Sequence, residues 1–96
     1  MSTSTPASKL GPVQALRLRR ATRSITQELA RASVTHSPFN STHEALSVIL
    51  EEADELKVAI RRDYDPLRPM SCTVSVRREA KHLAAMCLRL LVEDES

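Results

Sequence analysis

Glycine and aromatic residues are nearly absent from this sequence. Its 96 residues include one glycine, one phenylalanine, one tyrosine and no tryptophan. Glycine-rich phosphate loops need several glycines at fixed positions, so a site of that kind is excluded. Stacking of nucleic-acid bases needs exposed aromatic rings, so nucleic acid is not the expected partner. The abundant residues are leucine, alanine, glutamate and arginine, a composition that favours helices over sheets.

Cysteine is also scarce, and long apolar runs are absent. Cys72 and Cys87 match no common zinc-binding spacing and are too few for a disulfide framework. No stretch reaches the roughly 18 consecutive apolar residues of a membrane-spanning helix. The segment from Met1 to Lys9 lacks the charged and apolar regions of a secretory signal. The sequence therefore predicts a soluble, cytoplasmic protein with reduced thiols and no membrane partner.

Hydrophobic spacing divides the chain into a short tail and one helical domain. Residues 1–11 are small and polar and are interrupted by Pro6, which predicts a disordered tail. Residues 12–96 are predicted to form a single all-α domain. Because so small a domain buries little surface, we expect a three-helix protomer that forms a helical bundle by dimerisation. The three predicted helices cover about residues 12–33, 41–62 and 71–93.

The first predicted helix combines a narrow apolar stripe with many arginines. These arginines crowd the stretch from Arg17 to Arg31. They form either a phosphate or nucleic-acid patch or a solvated outer face, and the absence of interleaved aromatic residues favours the solvated face.

Charged residues fall inside the apolar arcs of the second and third predicted helices. At 100° per residue, Glu52 lies among the apolar residues of the second helix, with Glu51 and Glu55 at the border of the arc. Glu79 lies within the arc of the third helix, and His82 lies at its edge. The same projection predicts Cys87 in the core. The apolar arcs otherwise consist of Ala45, Ile49, Ala53, Leu56 and Ile60, and of Val76, Ala80, Leu83, Ala84, Leu90 and Leu91.

Carboxylates directed toward a core from two helices need a compensating positive charge, because burying a lone carboxylate costs several kcal/mol. A divalent cation is the simplest candidate, and oxygen-rich sites suit magnesium or manganese. Glu44 is less informative, because Ser41 and Glu44 have the spacing of a helix-capping box. A metal held in this way leaves positions open for phosphate oxygens, so a nucleotide is the most natural substrate, with one glutamate as general base.

The acidic residues also carry a family resemblance. Glu51-Glu52-Ala53-Asp54-Glu55, followed on the next predicted helix by Glu79-Ala80-Lys81-His82, resembles the EExxE and ExxD motifs of the MazG-like all-α nucleoside triphosphate pyrophosphohydrolases. The sequence of about residues 38–92 is similar to that of small phage and actinobacterial members of this family. The resemblance implies hydrolysis of a nucleoside triphosphate to monophosphate and pyrophosphate, by homodimers or dimers of dimers. It implies these Mg²⁺ ligands: Glu51, Glu52, Glu55, Glu79 and the position of His82.

His82 stands where the motif has aspartate. Imidazole is a poor ligand for Mg²⁺ and a better one for Mn²⁺, so the sequence predicts an altered metal preference. Ligation, a bridging water and packing at the helix edge stay open for this residue. Glu52 and Glu55 are the candidates for catalysis, and Lys81 and Arg78 either contact substrate phosphates or form solvated surface.

Two other functional classes stay open. One is a MazG-like nucleotide-binding or structural relative that lost turnover through His82. The other is a helical interaction protein that binds its partner through the arginine-rich first helix.

Overall fold

The computed structural model describes residues 9–95, which form three α-helices. Helix α1 spans Pro12–Thr35, α2 spans Thr42–Asp63 and α3 spans Val74–Glu93. The predicted all-α class is confirmed, and the helix boundaries lie close to the predicted ones. Most of the predicted tail lies outside the described residues and stays a prediction. Within residues 9–95, no helix is long and apolar enough to cross a membrane.

Local signals determine where the helices begin. Pro12 occupies the first turn of α1, where its missing N–H costs no hydrogen bond. The Ser41 hydroxyl accepts a hydrogen bond from the backbone N–H of Glu44 at 3.1 Å and so caps α2. The Glu44 carboxylate accepts from the side-chain amide of Asn40 at 2.9 Å. Glu44 thus takes part in the capping of α2, which leaves the acids further along this helix for other roles.

One carboxylate ties the corner between α2 and α3. Asp63, at the end of α2, accepts hydrogen bonds from Arg62 at 2.8 Å and from the Thr73 hydroxyl at 2.5 Å. These two hydrogen bonds lower the pKa of Asp63 to about 2. Thr73 in turn accepts from the backbone N–H of Val76 at 3.2 Å and caps α3. The corner therefore fixes how the acidic faces of α2 and α3 meet.

Helix α3 is the central element, because it packs against both α1 and α2. Each helix buries at least one alanine, and such small side chains allow packed helices to approach closely. Ala32 of α1 and Ala85 of α3 are almost completely buried, next to Met86. The half-buried residues packed around these three are Ile25, Leu29, Phe39, Val48 and Ile49.

The buried face of α3 differs from the predicted one. Cys87 and Leu91, which the sequence placed in the core, are exposed in the single chain. Ala85 and Arg89 are buried instead, together with Met86 from the margin of the predicted arc, and Arg89 is only 5 % exposed. The physical reason is that α1 packs on the side of α3 that carries Met86 and Arg89, whereas a projection of α3 alone contains no information about where α1 docks.

Arg89 can be buried because its guanidinium has hydrogen-bond partners and an aromatic ring beside it. Its Nε donates to Glu93 at 2.9 Å, an Nη donates to the carbonyl of Ser37, and its guanidinium lies 4.0 Å from the centre of the Phe39 ring. Glu93 also accepts from the backbone N–H of Phe39 at 2.7 Å. Burial acts to raise the pKa of Glu93, but the hydrogen bonds from Phe39 and Arg89 outweigh it and lower the pKa. This network fastens the α1–α2 connection to the end of α3.

An apolar surface remains uncovered on α2 and α3. Leu50 is 59 % exposed and Leu91 is 70 % exposed. The radius of gyration is 15.7 Å, larger than the roughly 12.5 Å of a compact domain of this length. The principal-axis extents of 44 × 41 × 23 Å show that the single chain is flat. We call this surface the outer apolar face, and it consists of Leu46, Leu50, Ile60, Cys87 and Leu91.

Candidate metal centre

Side chains from α2 and α3 converge on one point. One carboxylate oxygen each of Glu52 and Glu79 and one ring nitrogen of His82 all lie within 4.8 Å of one another. Nδ1 of His82 is 3.8 Å from Oε1 of Glu79 and 4.0 Å from Oε2 of Glu52. Ligand atoms held about 2.1 Å from an ion lie about 3 to 4 Å apart. The three side chains can therefore ligate one divalent cation after small rotations.

The helices explain this convergence. Glu79 and His82 are three residues apart on α3, so they lie on the same side of that helix. Glu52 reaches them from α2, which packs directly on α3. Oε2 of Glu52 is buried and has no hydrogen-bond partner among the described residues. Because an uncompensated buried carboxylate oxygen is costly, this atom and the mixed nitrogen and oxygen donor set fit a divalent cation.

Helix α1 supplies a fourth charged group that the sequence did not predict. Oε2 of Glu28 lies 3.8 Å from Nε2 of His82, and the Glu28 side chain is 11 % exposed. Arg31 donates to both oxygens of Glu28. This hydrogen bonding outweighs the effect of burial and lowers the pKa of Glu28. Glu28 is the one acid of α1, and its position between Ile25 and Ala32 on the apolar stripe is the signal that identifies it.

Glu55 lies beside the convergent group and is exposed. A hydrogen bond shared with Glu79 and the negative charge of Glu52 raise the pKa of Glu55 to about 7. In the metal-free protein the crowded carboxylates therefore retain a proton near neutral pH. Proton exchange at Glu55 is thus possible in the pH range of most cells.

The remaining predicted site residues are placed differently. Glu51 is exposed, and the group that converges within the described residues does not include it. Nε of Arg78 donates to Oε1 of Glu79 at 3.3 Å. Lys81 is half-buried, and its charge contributes to the lowered pKa of Glu28. The basic side chains of Arg78 and Lys81 thus lie next to the acidic residues. The metal-binding role predicted for Glu51 has no support from the geometry of the single chain.

No protein-family model, curated protein or solved structure matches this chain. The MazG-like resemblance therefore depends on the motif residues themselves and stays a prediction.

The acids lie between two open clefts. The smaller cleft measures about 290 Å³ and is lined by Glu55, Glu79, Arg62 and Arg78. The larger one measures about 490 Å³, and the residues that line it include Glu28, Glu52, His82, Phe39 and Arg89. A ligand that reaches the acids from the smaller cleft meets two arginines. A ligand in the larger cleft meets an aromatic ring in addition to charged groups.

Proposed function

We propose that this chain is a divalent-metal-dependent nucleoside triphosphate pyrophosphohydrolase. The observation that carries the proposal is the convergence of Glu52, Glu79 and His82, with Glu55 directly beside them. Glu52, Glu79 and His82 stand at positions of the motifs that carry the MazG-like resemblance, and this coincidence supports the proposal. The proposed reaction adds water to the α-phosphorus of a nucleoside triphosphate and releases pyrophosphate and a nucleoside monophosphate.

The residues of the convergent group hold the cation in this proposal. Glu52, Glu79 and His82 supply its protein ligands. The MazG-like resemblance implies Glu51 as a further ligand. A bound divalent cation neutralises phosphate oxygens and lowers the pKa of a bound water. Because one donor is an imidazole, manganese is preferred over magnesium.

The neighbouring residues have separate roles. Glu55 lies outside the convergent group but next to it, so it is the general base that takes the proton of the attacking water. Arg78 and Arg62 line the smaller cleft beside Glu79 and bind the phosphates that become pyrophosphate. Lys81, close to Glu28 on the other side, adds positive charge near the larger cleft.

The proposed active form is a homodimer, or a dimer of dimers, in which a second copy of the chain covers the outer apolar face. The small core and the exposure of Leu50 and Leu91 support this assembly, and so does the MazG-like resemblance. Leu50→Glu is expected to convert the oligomer to monomers, because it introduces a charge into an apolar contact. Sedimentation velocity measures the change.

Val13→Glu is the matched control for assembly, since Val13 is a similarly exposed aliphatic residue that belongs to α1, whereas the outer apolar face belongs to α2 and α3. It should leave the oligomer intact. A wild-type chain that is monomeric at every concentration would contradict the assembly.

A nucleotide panel tests the activity. We expect pyrophosphate release from at least one ribonucleoside or deoxyribonucleoside triphosphate, with faster turnover in Mn²⁺ than in Mg²⁺. If no pyrophosphate appears but metal or nucleotide raises the melting temperature, the chain is a binding relative without turnover. If nothing stabilises it and it binds DNA or RNA in a salt-sensitive way, the arginine-rich α1 is the functional surface.

A further inference from the structure

We propose that Glu28 is a positioning residue that selects the tautomer of His82 and thereby makes Nδ1 the metal-binding nitrogen. This inference rests on the proposed metal site of Glu52, Glu79 and His82. It gives a role to an acid of α1 that lies outside the motif residues of α2 and α3.

The two nitrogens of the His82 ring face different helices. Nδ1 faces the carboxylates of Glu79 and Glu52, at 3.8 and 4.0 Å. Nε2 faces the carboxylate of Glu28 at 3.8 Å. A neutral imidazole carries one N–H and one lone pair, and only the lone pair can bind a metal. A proton on Nε2, directed at Glu28, leaves the lone pair of Nδ1 directed at the proposed site.

Glu28 is held in place for this task. Arg31 donates to both of its oxygens, and the side chain is 11 % exposed. A carboxylate that is anchored in this way cannot turn freely into solvent. The separation of 3.8 Å from Nε2 is about 1 Å longer than a hydrogen bond. A small rotation of the His82 ring closes that gap when Nδ1 binds a cation, since hydrogen bonds of this kind tighten on ligation.

A histidine ligand at position 82 needs a carboxylate such as that of Glu28 beside its second nitrogen, whereas an aspartate ligand would not. Without Glu28, the carboxylates of Glu52 and Glu79 attract the N–H of the ring to Nδ1, which directs the lone pair away from the site. A carboxylate opposite Nε2 competes with them for this proton, and it holds the proton on Nε2 once Nδ1 binds a cation. Metal-binding histidines commonly donate their second N–H to a carboxylate, and loss of that partner typically weakens metal binding about 10- to 100-fold.

The tautomer can be measured without metal. We expect ¹⁵N NMR of the neutral His82 ring to show a larger fraction of the proton on Nε2 in the wild-type protein than in Glu28→Gln. Glu28→Gln should move it toward Nδ1, because the amide of glutamine can donate to Nε2. Glu95→Gln removes the same charge from an exposed position beyond α3 and should not alter the ring. An identical ring in Glu28→Gln, or a shift of the proton toward Nε2 in that variant, would overturn the inference.

Metal affinity provides the second measurement. Titration with Mn²⁺ should show at least about 10-fold weaker binding by Glu28→Gln than by the wild type and by Glu95→Gln. In a His82→Ala background, Glu28→Gln should cause no further loss, because Glu28 acts through the ring. Wild-type binding that Glu28→Gln leaves unchanged would overturn this inference alone. A wild-type chain that binds no divalent ion would overturn both this inference and the proposed function.

Discussion

Glu79→Gln is expected to lower metal-dependent pyrophosphate release by at least about 100-fold, the largest catalytic effect of any single change considered for this chain. Glu79 is a member of the convergent group, a neighbour of Glu55 and the partner of Arg78. Its loss removes a metal ligand and disturbs both the proposed base and a proposed phosphate contact. The measurement is pyrophosphate release at saturating Mn²⁺ by the variant, by the wild type and by the control Glu95→Gln.

For the same variant we also expect a change in how the stability of the fold depends on pH. The raised pKa of Glu55 means that the folded, metal-free protein binds a proton more tightly than the unfolded chain. The associated stability is present below the ordinary pKa of 4.5 and is lost as the pH rises through about 7. Because Glu79 is the largest cause of the shift, Glu79→Gln should flatten this pH dependence. A melting temperature that falls at neutral pH together with activity would show that Glu79 supports the fold instead.

Arg89→Ala should reduce the free energy of unfolding by about 2 to 4 kcal/mol. The change removes the guanidinium from above Phe39, breaks the hydrogen bonds to Glu93 and Ser37, and leaves the Glu93 carboxylate with fewer partners. The loss should appear as a lower urea midpoint with an unchanged slope.

Arg77→Ala is the matched control for this stability change. Arg77 is an exposed arginine of the same helix, and its replacement should alter the free energy of unfolding by no more than about 0.5 kcal/mol. If Arg89→Ala lowers the free energy of unfolding no more than Arg77→Ala does, the Arg89 network is not what fastens the α1–α2 connection to α3.

Local features of the sequence were sufficient to predict the three helices. Pro12 at a helix start, Ser41 as a cap and the prolines between α2 and α3 act over a few residues, so they can be recognised without a fold. The inward direction of Glu52 and Glu79 was equally accessible, because helical periodicity alone determines which side of its own helix a residue occupies. These residues define the part of the site that comes from α2 and α3.

Two features that the sequence did not reveal, the position of Glu28 and the burial of Arg89, depend on how α1 and the α1–α2 connection pack on α3. Glu28 stood out neither by a motif nor by a neighbouring acid, and its proximity to His82 arises only when α1 packs on α3. Arg89 shows the same limitation, since it is buried only because Ser37 and Phe39 of the α1–α2 connection cover it, while Glu93 of its own helix pairs with it. The periodicity predicts Cys87 and Leu91 in the core because it identifies an apolar face but not the molecule that covers this face.

The proposed function depends on a divalent-metal site formed by Glu52, Glu79 and His82. Calorimetric titration of Mn²⁺ into the metal-free wild-type chain tests it most directly, with Glu79→Gln as the comparison. We expect saturable binding of one ion per chain, tighter for Mn²⁺ than for Mg²⁺ and lost in Glu79→Gln. No saturable binding by the wild-type chain, or equal binding by Glu79→Gln, would contradict it.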